Sequence, residues 1–370
     1  MIISNRKIMK TNLSDSEYLN QKMGPPRDNL FLLIPLNIIY SIIFVLGILG
    51  NTATCLVISR VKFMQSPTNF YLLNLSVTDL LILIIILPQD LYQFWVHYPY
   101  PFGHTICFLK SYIGEICVCT SVLTVIAFTV ERYCAICQPH RCSQAVSGSP
   151  NDVQGIKRTF KIIILLWLIS FIVTLPLSLQ IDIDILTRND STTNYKTTIL
   201  PTSAQCTFYD SVSAKYLSIL STILLFVLPL AVIIIMYTMI GIVIRKSMLQ
   251  RRHSHSIEHF YDVNNQTVRA RKAILKILIA VVIVFFVCFL PHNSLRLMVA
   301  MIPNDKWTPR LYQLHNIMFY VSGILFFLNS VINPILYNVF SLKFRKALQK
   351  IIISKVFKDS RRMRYQSHNF

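Results

Sequence analysis

Apolar residues gather in seven long runs, roughly 31–59, 69–95, 106–134, 160–181, 214–244, 273–302 and 312–340, separated by polar or mixed segments. A helix rising about 1.5 Å per residue crosses a hydrocarbon core of about 30 Å with about 20 apolar residues, and every run reaches that length. A membrane barrel alternates polar and apolar positions over segments of about ten residues instead. The runs are nearly continuous, so the pattern predicts an all-α membrane protein, with a seven-helix domain over 31–340. The first 30 residues are polar and lack the apolar centre of a cleavable signal, so 1–30 reads as an extracellular tail and the first helix as the insertion signal. Of the segments expected inside, 61–67 is short. Pro139 and Ser-Gly-Ser-Pro make 138–157 irregular, and 246–268 reads as a polar linker. After the seventh run, Phe344, Leu348 and Ile351 or Ile352 recur at helical spacing among lysines and an arginine. Residues 341–357 therefore read as an amphipathic helix on an anionic inner membrane surface, with an ordinary soluble basic helix as the alternative. Residues 358–370 read as a cytoplasmic tail.

Composition sharpens this picture. The chain is 54% hydrophobic and only 14% charged, where a soluble domain carries about 25% charged residues. A net charge of +20 raises nucleic-acid binding as a reading, but topology explains it better. With the amino terminus outside, 24 of the 36 lysines and arginines fall on the inner side, as the positive-inside bias requires. That orientation exposes the glycosylation triplets at Asn12 and Asn189 to the exterior. Of nine cysteines, only Cys107 and Cys206 fall near the outer face, where an oxidising exterior lets them bridge.

Ionisable residues at membrane depth are the candidate chemistry. Asp79 sits in NLSVTDLL, and the seventh run offers Asn329, Ser330 and Asn333 in FFLNSVINPILY. Hard oxygens around one carboxylate suit a small cation such as sodium, and Pro334 is expected to break or bend the helix and free carbonyls. Glu131 and Arg132 stand side by side at the inner end of the third run. No second acid matches Asp79 in depth, so paired-carboxylate protease chemistry is not indicated and no enzyme is expected. Without an internal repeat or an inner-half carboxylate relay, a seven-helix transporter or channel is the weaker alternative.

These residues carry a resemblance. Asn51 in GILGN, Asp79, Glu131-Arg132-Tyr133, Trp167, Pro229 with Tyr237, Pro291 and Asn333-Pro334-Ile335-Leu336-Tyr337 occur in order, one motif per helix. In this the chain resembles rhodopsin-class G-protein-coupled receptors over roughly 35–350. The resemblance implies that Arg132 pairs with Glu131 in an inactive state and is freed towards Tyr237 and a G protein in an active one. It implies switch roles for Tyr133, Asn333, Pro334 and Tyr337, and an allosteric sodium site of Asp79, Ser121, Asn329, Ser330 and Asn333. Arrestin and a heterotrimeric G protein are the implied partners, at the plasma membrane. Two positions depart from the pattern: Arg271 stands where a second acid is frequent, and Phe289 where tryptophan is usual.

The same resemblance excludes two ligand types. The amine-binding aspartate position is Gly114, and the retinal lysine position is Phe327. Acids dominate the outer half instead. Asp90 lies eleven residues, about 16 Å, outward from Asp79, and Glu115 lies two turns inward of Cys107. Two carboxylates facing one cavity repel unless a cation joins them, and an arginine has donors for both. The alternative is internal pairing of Asp90 or Glu115 with Arg296 or Lys110. The stretch 87–137, with its YPYPFG turn, resembles the neuromedin U, pyrokinin and CAPA neuropeptide receptors, whose ligands end in an amidated Pro-Arg-X. That resemblance implies a peptide ligand held by Asp90 and Glu115, with Arg296, His292 and Phe289 in the pocket, and Gq and calcium signalling. WTPRLY at 307–312 resembles neurotensin receptors, so a ghrelin- or neurotensin-like receptor is the alternative.

Overall fold

The computed structural model describes residues 14–137, 153–189, 197–208, 212–252, 259–303, 306–351 and 353. Among them, seven helices are long and apolar enough to cross a membrane. The first spans Leu30–Arg60, the third Gly103–Cys137, the fourth Val153–Ser178, the sixth His259–Met301 and the seventh Pro309–Phe340. The second runs Pro67–Leu81, Ile82–Ile86 and Leu87–Trp95, and the fifth runs Val212–Thr222, Ile223–Val227 and Leu228–Arg252, each with a wide π turn in the middle. The cause lies just downstream. Pro88 and Pro229 have no N–H to give the residue four back, and their rings crowd its carbonyl. Each π turn ends two residues before its proline, so widening the helix relieves the crowding.

Pro334 acts differently. Of the break or bend expected there, a break does not occur: the seventh helix runs unbroken through it. The carbonyl it leaves without an intrahelical donor, that of Ser330, accepts from Asn51 Nδ2 at 2.8 Å. Asn51 is fully buried, so this bond ties the first helix to the seventh where water cannot compete. A second buried chain joins three helices: Trp167 Nε1 donates to Asn74 Oδ1 at 2.9 Å, and Asn74 Nδ2 donates to Thr124 Oγ1 at 2.9 Å.

The polar linker expected over 246–268 is much shorter. The fifth helix continues to Arg252, and the sixth begins at His259. No glycine or proline occurs between 242 and 290, so nothing stops either helix where hydrophobicity fades. After the seventh helix, residues 342–351 are helical. Phe344 and Ala347 are buried against Val57, Val61, Met64 and Tyr337, with Leu348 and Ile351 alongside. This side of the helix meets the bundle, while Leu342 and Ile353 stay exposed.

At the opposite end, Cys107 and Cys206 form a disulfide. It holds the hairpin of β1 (Ile181–Asp184) and β4 (Gln205–Phe208) on the third helix, while β2 (Thr187–Asn189) pairs with β3 (Thr197–Ile199). The stretch read as a tail contains a helix, Asp15–Met23, begun by a capping box between Ser14 and Glu17. That hydrogen bonding lowers the Glu17 pKa. Asn12, most of the 138–157 loop and the 358–370 tail lie outside the described residues.

Candidate functional site

A cavity of about 550 Å³ lies in the bundle at the disulfide end. Asp90 of the second helix, Lys110 and Glu115 of the third, Ser221 of the fifth and Phe289, His292 and Arg296 of the sixth all line it, with β4 contributing Gln205–Phe208. The five residues singled out from sequence, Asp90, Glu115, Arg296, His292 and Phe289, thus share one space. The spacing explains the sixth-helix set: Phe289, His292 and Arg296 are three and four residues apart and fall on one face.

The acids do not stand free. Lys110 Nζ pairs with Asp90 and donates to Gln93 Oε1 at 2.9 Å. Arg296 pairs with Glu115 through Nη2 and donates from Nη1 to Ser221 Oγ at 3.0 Å. The geometry is thus the internal pairing weighed as the alternative. The two pairs differ in access. The Asp90 side chain is 29% exposed, but those of Glu115 and Arg296 are 12% and 14% exposed. Sequence reasoning missed Gln93 and Ser221 as partners, because a helix-facing Gln or Ser carries no signal of its own. Deeper in, Phe289 is 3% exposed and packs on Phe285 and Phe326 with centroids 4.5 and 5.5 Å apart. His292 lies against the same Phe326 ring.

Below this floor sits Asp79, 2% exposed. Asn333 Nδ2 donates to its Oδ2 at 3.1 Å. Ser121 and Thr78 share a hydrogen bond of 2.8 Å beside it. Ser121, Asn329, Ser330 and Asn333 are all buried, and Asn329 Oδ1 has no partner among the described residues. Neutral oxygens around one buried carboxylate, one of them without a donor, fit a small hard cation.

At the far end, Glu131 and Arg132 make no ion pair with each other in this conformation, although the resemblance implied one. The Arg132 guanidinium reaches Thr68 Oγ1 through Nη2 and lies 5.7 Å from the Phe128 ring centroid. Glu131 Oε2 has no partner among the described residues. Tyr237 meets Thr129 at 3.4 Å. Tyr337 is buried, its hydroxyl without a partner among the described residues, and Tyr133 is half-buried. The Asn189 backbone pairs with Thr197, and its side chain lies outside the described set. Arg271 is helical, and its side chain is likewise not described.

The profile of the seven-transmembrane receptors of the rhodopsin family matches residues 50–337. The pyrokinin-1 receptor of Drosophila melanogaster is 31% identical, covering 91% of this chain and 84% of its own. The neuromedin-U receptor 2 of Mus musculus is 32% identical, covering 93% and 81%. A neuromedin U receptor homologue of Caenorhabditis elegans is 34% identical, covering 91% and 84%.

Proposed function

Because the chain belongs to the rhodopsin family of seven-transmembrane receptors, we propose that it is a G-protein-coupled receptor for an amidated, arginine-bearing neuropeptide. Its amino terminus faces outside at the plasma membrane, and it signals through a Gq-type protein and calcium, with arrestin as a further partner. As a member of this family it is a receptor, not an enzyme. The relatives named for pyrokinin and neuromedin U support the ligand class. The observation that carries the reading is Asp90, a carboxylate partly open to the cavity and held by one lysine. A ligand guanidinium offers two parallel donors where the Lys110 ammonium offers a point charge. Lys110 keeps the neutral Gln93 amide oxygen as a hydrogen-bond acceptor when displaced.

From the cavity a path leads inward. Phe289 packs on Phe326, and Phe326 precedes Asn329 and Asn333 by three and seven residues on one helical face. A ligand that shifts these rings strains the Asn333–Asp79 bond and, one turn on, Tyr337. Arg132 and Tyr237 lie at the end that meets the G protein. Sodium held by Asp79, Ser121, Asn329, Ser330 and Asn333 favours the conformation that closes those oxygens around it, and so opposes agonist.

Two measurements check this. In cells carrying a calcium reporter, amidated peptides ending in Pro-Arg-X are expected to evoke calcium, and the same peptides with neutral citrulline for arginine are not. Equal potency of the two series sinks the arginine clamp, and substrate flux or current without calcium favours a transporter. Sodium is expected to lower agonist affinity by about fivefold or more, and Asp79→Asn to abolish that response. Persistent sodium sensitivity in Asp79→Asn removes the site.

A further inference from the structure

The segment before the first spanning helix is fixed by several hydrogen bonds to residues next to the cavity, His97 among them. The helix Asp15–Met23 buries Leu19 against Tyr98 and Leu200. Arg188 of β2 pairs with Asp15 at 3.0 Å and lies 5.3 Å from the Tyr18 ring centroid. Gly24, at φ +82°, then turns the chain. Three successive carbonyls follow, and all three are taken. Tyr98 Oη donates to Gly24 O at 2.6 Å, His97 Nδ1 meets Pro25 O at 3.2 Å, and the His97 backbone N–H donates to Pro26 O at 2.9 Å. Asp28 closes the strap. Its Oδ2 lies 3.3 Å from His97 Nε2 and accepts from Tyr320 of the seventh helix.

His97 is the hinge of this arrangement, because it also lines the cavity. A carbonyl and a carboxylate only accept hydrogen bonds, so the two ring nitrogens satisfy Pro25 and Asp28 together only when both carry protons. A neutral ring keeps one contact and loses the other. The remaining groups do not change this logic. Burial raises the Tyr98 pKa, so its phenol stays a donor. Tyr320 reaches the same Asp28 oxygen. Asp90 and Lys110, across the cavity, hold each other.

We propose that residues 24–28 form a strap along the cavity mouth, latched by His97 and Tyr320 through Asp28, and that release of this latch governs access to the cavity. That the guarded cavity takes a peptide rests on the function proposed above; the latch itself does not.

The test uses the full-length receptor and no peptide. A Ser111→Cys variant places a thiol inside the cavity, and a bulky maleimide dye reports access to it, with the unsubstituted receptor giving the background of native thiols. Adding Asp28→Asn or His97→Gln is expected to speed labelling about fivefold, the factor one partly exposed ion pair supports. All receptors are labelled at one fixed pH, so the ratio cancels the thiolate fraction. Tyr320→Phe, which removes one hydroxyl and keeps the ring, is the milder variant should the others fold poorly. Amide exchange over 24–29 is expected to rise in the same variants. Labelling ratios near one overturn the proposal, as does faster exchange without faster labelling. A receptor silent to every peptide sinks the neuropeptide reading and leaves this comparison intact.

Discussion

Asp90→Ala and Glu115→Ala are expected to fail in different ways. Asp90 is the more open acid, so its loss should cost an arginine-bearing peptide about 2–5 kcal/mol, or about 30-fold or more in affinity, with little change in thermal stability. The citrulline peptide, which never engages that carboxylate, should lose almost nothing. Glu115 holds Arg296 where both side chains are mostly buried. Removing it leaves a guanidinium with Ser221 as its remaining hydrogen-bond partner among the described residues, and breaking such a pair costs about 3–5 kcal/mol. Melting temperature in detergent should therefore drop in Glu115→Ala and recover in Glu115→Ala/Arg296→Met, because the double variant leaves no charge stranded. Peptide affinity in the double variant decides the second role. Recovery means that Glu115 only anchors Arg296, and continued loss means that it also meets the ligand. Unchanged affinity for the arginine peptide in Asp90→Ala removes Asp90 from the site altogether.

The contrast between these acids shows what a sequence reveals here. The seven spans were legible because lipid demands about 20 apolar residues in a row, a pattern distinct from the short alternating segments of a membrane barrel. Asp90, Glu115 and Arg296 were legible because charge at membrane depth is costly and therefore sparse. Their pairing was not, since Lys110 and Arg296 each stand within reach of more than one acid and only packing decides. The helix Asp15–Met23 left a signature, Ser14 with Glu17 three residues on and Gly24-Pro25 at its end, hidden by the expectation that a polar terminus is a tail. The π turns before Pro88 and Pro229 follow from proline chemistry, yet a π turn and a kink answer the same strain, so sequence does not choose between them. The helical continuation to Arg252 went unseen for a related reason: hydropathy marks the edge of the membrane, and breakers mark the end of a helix.

Cys107→Ser or Cys206→Ser is expected to abolish most surface delivery and ligand binding. The two residues lie 99 positions apart, and a cross-link closing a loop of that length removes about 4–5 kcal/mol of unfolded-state entropy in the chain-entropy model. That is a large part of the 5–15 kcal/mol by which folded domains are typically stable. The local packing adds to it. Cys107 is fully buried and clusters with Tyr100 and Ile181, while Gln205–Phe208 of β4 line the cavity. Without the bridge, β4 is held to β1 by one four-residue ladder, and a two-stranded ribbon of that size is marginal alone. The hairpin then leaves the third helix, and the cavity loses part of its wall. Surface antibody staining of intact cells should fall severalfold in either variant, and the double variant should be no worse than either single one, because each already removes the whole bond. Mild reduction of wild-type receptor already at the surface should lower peptide affinity while leaving staining unchanged, separating the cavity effect from the folding effect. Normal staining and affinity in both single variants would mean that helix packing alone holds the hairpin in place.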